Sequence, residues 1–300
     1  MRSPAVAGQF YEEDGARLAH QIESCFLDPR GPGSLPPRHR SSVRGIRAAV
    51  VPHAGYPYSG PIAARAFFEL ARQKPAPVVL ILGVDHHGAG APFALSDRPW
   101  STPLGRVDVD HELVGALTRP PIVIDESAHE PEHSVEVELP FLQYVEPYPV
   151  VVPLMVRFAP FEQLQRVALE VRTAIAGRDL LLIASTDFSH YVDVETARRL
   201  DRRAIDAILR NDARGLYRTV TQEGISMCGI APTTVLLEIL RDEALSTRLL
   251  AWGHSGEAEP MDRVVGYASI LLERPTSPSA ASPLPAEGPS ASSRRRPEAG

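Results

Sequence analysis

Cysteine is scarce: Cys25 and Cys228 are the only two in 300 residues, too few for a disulfide framework. Long apolar runs are also lacking. No stretch approaches about 18 uninterrupted apolar residues, so no membrane span is expected. The N-terminal "MRSPAVAGQFYEEDG" has too short an apolar run, and acids too early, for a secretory signal. These absences make a reducing, cytoplasmic setting the expectation. Positive charge is not in excess: the formal net charge is −6, and the one dense basic run, Arg294-Arg295-Arg296, lies near the C-terminal end. No nucleic-acid partner is expected from such a balance.

What is present is a series of short apolar runs. "AAVVP" at 48–52, "PVVLILG" at 77–83, "VVVPLMV" at 150–156 and "DLLLIAST" at 179–186 read as buried strands, and "LLAWG" at 249–253 and "VVGYASILL" at 264–272 extend the set. Between them, 59–72, 160–175 and 194–210 carry helical periodicity. Continuous apolar strands alternating with amphipathic helices predict an α/β sheet covered on both faces. Residues 28–44, rich in Pro, Gly, Ser and Arg, read as an exposed, disordered loop. The Pro- and Ser-rich stretch from about Pro275 has almost nothing to bury and reads as a disordered tail.

Reactive residues fall where strands end, the edge on which open α/β sheets assemble ligand sites. "AAVV" runs into "PHAGYPYSG", placing His53 beside Gly55 and Tyr56. "VVLILG" runs into "VDHHG", giving Asp85, His86 and His87, and "LLLIAST" into "DFSHY", giving Asp187 and His190. Cys228 and Gly229 open the apolar helical pattern of "CGIAPTTVLLEIL". Singly, each has an ordinary explanation: a hydrogen-bonded turn histidine, a capping aspartate, a small buried thiol. Adjacent side chains diverge, so only one of His86 and His87 is expected to point into any one site. Together, parallel strands each ending in a histidine would converge on one edge, where imidazole and thiolate donors suit iron, zinc or copper.

The segment "DESAHEPEHSVEVELPFLQYV" at 125–145 gathers His129, Glu130, Glu132, His133 and Glu136. His133 and Glu136, three apart, would share a helix face. Acids ahead of an apolar stretch also describe an ordinary helix N-terminus. A structural role, or the orienting of a ligand imidazole, is expected here over direct coordination.

Taken in order, "VPHAGYPYSG", "ILGVDHHG", "STPLG", "EPEHSVEVELPFL", "STDFSHY" and "CGIAPTTVLL" resemble the Memo family. Its prokaryotic members are called AmmeMemoRadiSam system protein B. The resemblance runs from "AGQFYEED" at 7–14 to the last strand near 272. It implies a single α/β domain over 1–273, with 28–44 as an exposed loop and 274–300 as a tail. The implied fold is a mostly parallel central sheet flanked by helices, class III extradiol dioxygenase (LigB)-like.

The resemblance further implies a mononuclear metal held by His53, His86 and Cys228, with iron (Fe2+) the first expectation and copper or zinc the others. His190 and Asp187 match catalytic positions, and Tyr56 and His87 are expected to line the substrate pocket. The related dioxygenases use two histidines and a carboxylate, so a thiolate in this set separates the chain from them, and dioxygenase activity does not follow from fold. Asp85 or Asp187 is the alternative carboxylate donor.

Three functions then compete. The first is a metal-dependent oxidoreductase acting on a small molecule, with AMMECR-domain and radical-SAM proteins as the partners the family name implies. The second is a pocket that binds phosphopeptides or proteins, weakened by the lack of an arginine cluster at the motif positions. The third is a non-catalytic metal-handling site, with Cys228 its oxidisable element.

Overall fold

The apolar runs form the middle of one sheet. In the computed structural model, which describes residues 1–146 and 148–275, the central strands are β1 (Ile46–Val51), β2 (Val79–Val84), β7 (Val150–Val156) and β8 (Leu181–Ser185). They lie side by side in the order β1-β8-β2-β7, all parallel, with Val51 opposite Ser185 and Leu82 opposite both Ala184 and Leu154. Buried on both faces, they need no polar alternation, which is why they read as continuous Val, Ile and Leu.

Antiparallel strands extend both margins, so the sheet is mixed overall and parallel at its centre. On one side stand β10 (Ser246–His254) and β11 (Val264–Glu273), the latter paired with β1. On the other, β3 (Phe93–Leu95) and β6 (Val123–Ile124) follow β7. The short β4 (Trp100–Thr102) and β5 (Gly105–Val109) form a hairpin joined to β7, and β9 (His190–Val192) pairs with β11.

Helices cover both faces. Neighbours in β10 show this directly: Trp252 donates its indole N–H to Asp201 at 2.8 Å, whereas a Cβ on Gly253 would meet Ile62 at 3.0 Å. Ile62 lies in α2 (Tyr56–Ala71), which packs with α1 (Gly15–Leu27) and α4 (Glu138–Val145); Asp201 lies in α6 (Val194–Leu209). The second face is completed by α5 (Phe161–Ala174), α7 (Ala213–Glu223) and α8 (Ile230–Leu240), and a short α3 (His111–Leu117) lies against α5. Helix α8 is buried at every position because it sits between the sheet and α5 and α7.

Residues 28–44 carry neither helix nor strand and are largely exposed. The segment is nevertheless anchored. Arg65 donates to Arg30 O at 2.6 Å, and Arg40 pairs with Glu146, so fixed contacts replace the disorder expected there. The expected tail lies outside the described residues from 276 onward. Among the described residues, no helix is long and apolar enough to cross a membrane.

Candidate metal centre

The carboxyl ends of β1, β8 and β2 open onto one space, and the backbone beyond each strand delivers a reactive side chain into it. Gly83, the glycine inside "ILGVDHHG", lets another segment approach. A Cβ there would lie 2.7 Å from Val135 Cγ2 and 2.9 Å from Ser134 Oγ. Ser134 Oγ bridges the strand end, accepting from Val84 N (2.9 Å) and donating to Val84 O (3.0 Å). The 132–135 turn is thereby pinned over β2, which brings Glu132 and His133 beside His86.

Three imidazoles gather: the ligand atoms of His53, His86 and His133 lie within 4.8 Å of one another. The His53 ring stands nearly perpendicular to His86 (85°) and to His133 (89°), while His86 and His133 are nearly parallel, with centroids 4.7 Å apart. His87, Glu132 and His133 form a second such group, with His87 exposed at the rim.

Neighbours fix the tautomers. Glu132, fully buried, accepts at Oε2 from His86 N (2.7 Å) and at Oε1 from His86 Nδ1 (2.9 Å), His133 N (2.8 Å) and Ser134 N (2.9 Å). Burial acts to raise its carboxyl, but the His86 ring N–H and the backbone N–H donors hold it well below the usual range. A carboxylate only accepts, so His86 turns Nδ1–H to it and Nε2 is the nitrogen left to the site. His53 Nδ1 meets Ser185 Oγ at 2.8 Å, and Ser185 donates its proton to Ser134 O at 2.7 Å. His53 is therefore the donor in that contact, which leaves its Nε2 unprotonated.

Glu138, fully enclosed, sits 2.9 Å from Ser185 Oγ at Oε1. Burial raises its carboxyl well above the ordinary value, against the lowering effect of the Ser185 hydroxyl. Burial, and then the charges of His133 and His86, push His53 well below its ordinary value, and burial brings His133 down to about 4. At neutral pH both rings are neutral and present lone pairs.

From the other side, the Cys228–Gly229 turn rests on the end of β8. Gly229 N donates to Thr186 Oγ1 at 2.9 Å, and a Cβ on Gly229 would meet Thr186 Cβ at 2.2 Å. Cys228 Sγ lies 3.3 Å from His53 Nε2 and accepts from Asp187 N at 3.2 Å. Burial, and then the Asp187 charge, raise this thiol. Cys228 is in neither histidine group. Asp187 Oδ1 accepts from His53 N at 2.9 Å, and burial lifts its carboxyl to about 6 against the opposing charge of His190. His190 Nδ1 donates to Ser226 O at 2.8 Å, leaving Nε2 as its free basic nitrogen.

The structure therefore brings His53, His86, Cys228 and Asp187 to the edge expected of them. It does not bring Tyr56 there. Tyr56 is 1% exposed, donates its hydroxyl to Val137 O at 2.8 Å and packs against Tyr11 and Phe141. Its position as the first residue of α2 turns the ring into the core, so it has no surface to offer a ligand. Asp85 is also committed, to Arg157 Nε at 2.6 Å.

The 125–145 cluster divides its roles. Glu132 orients His86, as expected of a residue in this segment. Glu136 accepts from Arg2, Ala5 N, Val6 N and Tyr11, tying down an N-terminal arm whose Phe10 packs edge-on against His133 at 4.7 Å. His129 donates from Nε2 to Ala94 O, and Glu130 is exposed. Sequence reasoning missed Ser185, Glu138 and Ser226. Only Ser185 carried a signal, a polar residue ending an apolar strand two positions before Asp187.

At the opposite edge of the sheet lies a cavity of about 490 Å3 lined by Arg47, Arg172 and Arg178. These pair with Glu243, Asp242 and Glu112, and among the described residues the grouped histidines lie at the other edge.

A family model described as Memo-like protein matches residues 2–271. The MEMO1 family protein of Methanothermobacter thermautotrophicus is 40% identical over 279 residues, covering 90% of this chain and 99% of its own. The MEMO1 family protein of Methanopyrus kandleri is 40% identical over 290 residues (91% and 99%), and that of Thermotoga neapolitana 40% over 278 residues (91% and 99%). Among solved structures, an uncharacterized Escherichia coli K12 protein aligns at TM-score 0.47 and 13% identity, covering 75% of this chain and 99% of that one.

Proposed function

This chain belongs to the Memo-like protein family, and we propose that it is a metal-dependent oxidoreductase working at the histidine cluster on the carboxyl edge of the sheet. The observation that carries the reading is the convergence of imidazoles whose Nδ1 atoms are already engaged. His53 is held by Ser185 at 2.8 Å and His86 by Glu132 at 2.9 Å, which leaves Nε2 as the nitrogen each can turn to the site. Histidines that bind metals are oriented in this way by an acceptor on the far nitrogen.

His53 and His86 would hold the ion, with Cys228 as the thiolate donor that the family resemblance implies; its sulfur lies 3.3 Å from His53 Nε2. Imidazole and thiolate suit iron, copper or zinc over magnesium or calcium, and iron is the metal proposed. Such an ion supplies Lewis acidity and one-electron chemistry to a small-molecule substrate. The chain's own groups manage the protons. His190, tied through Nδ1 to Ser226 O, takes up or gives a proton at Nε2. Asp187 holds the His53 backbone and faces His190 with a carboxyl near 6, so it can stabilise a protonated His190. Exposed His87 stands at the rim, where a substrate enters. Partnership with AMMECR-domain and radical-SAM proteins is part of the proposal and rests on the family resemblance alone.

The test is the metal content of anaerobically purified protein beside a His53→Ala/His86→Ala double variant, followed by oxygen uptake with small phenolic compounds. About one iron per chain, lost in the variant and coupled to turnover, supports the reading. Metal without turnover favours metal handling. No metal in either protein after reconstitution overturns it.

A further inference from the structure

We infer that His133 is a third imidazole ligand of this centre, an inference that rests on the metal-site reading above. Its Nδ1 lies 3.3 Å from Glu132 Oε1, the oxygen that also faces His86 Nδ1 at 2.9 Å. The two stacked rings thus set the same nitrogen against one carboxylate oxygen, His86 through a hydrogen bond and His133 through a 3.3 Å contact beside the bond from its own backbone N–H. With His53 Nδ1 on Ser185, all three rings set Nδ1 against a polar neighbour, and the Nε2 of His53 faces Cys228 Sγ at 3.3 Å. Their ligand atoms lie within 4.8 Å of one another.

The His133 ring is held from several directions. Ser134 fixes its backbone to Val84, Glu136 anchors the N-terminal arm three residues on, and Phe10 of that arm closes against the ring at 4.7 Å. A residue serving only as a packed turn histidine has no need of a buried carboxylate that it shares with a ligand. Three imidazoles also shift the donor balance toward nitrogen, favouring iron, zinc or copper(II) over copper(I), which thiolate-rich sites select.

The test uses Co(II) alone as the probe, added anaerobically to the full chain. Affinity is read by chelator competition for wild type, His133→Ala, His133→Gln and His53→Ala/His86→Ala, and the ligands on wild type are counted by X-ray absorption. The inference expects three imidazoles on the ion and affinity more than about 100-fold weaker in both His133 variants, since removing a merely orienting group costs about 10–100-fold. Two imidazoles on the wild-type ion, with affinity of the His133 variants within about 10-fold of wild type, overturn the inference and leave the metal-site reading intact. The wild-type count stands even if a variant fails to fold. Failure of wild type to bind Co(II), or binding unaffected by the double variant, overturns the reading itself and the inference with it.

Discussion

His86 Nδ1 lies 2.9 Å from Glu132 Oε1, across 46 positions of sequence. Because Glu132 is buried and meets only N–H donors, replacing it with an amide turns an NH2 group against at least one of them. Glu132→Gln is expected to lower unfolding stability by about 1–3 kcal/mol, the range for an unsatisfied buried group, and metal affinity about 10–100-fold. Urea unfolding and chelator competition measure the two effects. Wild-type values for both would mean that Glu132 neither orients His86 nor stabilises the turn.

Cys228 stands 3.3 Å from His53 Nε2 but in neither histidine group. Cys228→Ser should reduce bound metal well below wild type while leaving the unfolding midpoint within about 1 kcal/mol. Elemental analysis decides it: unchanged stoichiometry removes the thiol from the site.

His190 is tethered through Nδ1 to Ser226 O at 2.8 Å, which leaves one nitrogen for proton transfer. His190→Ala is expected to retain metal and lose about 10²–10⁴-fold of any turnover. Loss of metal instead would make His190 a ligand.

Glu138 sets a pH dependence of stability. Burial raises its carboxyl well above its ordinary value of 4.5, so the native chain keeps a proton that the unfolded chain releases. The stabilisation is complete below about pH 4.5 and is lost as pH rises through the native value, with a slope of up to about 1.4 kcal/mol per pH unit. Glu138→Gln, which keeps an oxygen to accept from Ser185 but cannot ionise, should flatten this profile in urea unfolding between about pH 5 and pH 8. Parallel profiles for the two proteins would show that Glu138 is ionised when folded.

Arg2 is 5% exposed and donates to Glu136 Oε2 at 2.6 Å, to His129 O and to Glu132 O, while lying 4.0 Å over the Trp100 ring. Removing it strands a buried carboxylate. Arg2→Ala is expected to cost about 3–5 kcal/mol, seen as a lower urea midpoint, and to loosen the arm that carries Phe10. A loss below about 1 kcal/mol would mean that the arm is held by its backbone bonds to Glu136 without the charge.

Sequence alone determined the strands whose apolar pattern is continuous and the edge on which the site lies. β1, β2, β7 and β8 are buried on both faces, so hydrophobic burial writes itself into every residue, and each strand exits into the polar residues that must sit at its rim. Helix α1 was missed although Asp14 caps it and Leu18, Ile22, Cys25 and Phe26 mark its buried stripe; its short amphipathic run stands apart from the strand-helix alternation. The short marginal strands β3, β4, β5, β6 and β9 carry too few residues for a period to register.

The partners of the histidines were decided by tertiary structure. A turn histidine, a metal ligand and a buried core residue read alike in a string of letters. What separates His133 and His86 from His129 is the acceptor that each Nδ1 or Nε2 meets, and what takes Tyr56 into the core is its place at the start of α2. These depend on segments joined only when the glycine at position 83 lets the 132–135 turn close over β2, and hydrogen-bond geometry between distant segments leaves no local period in the chain.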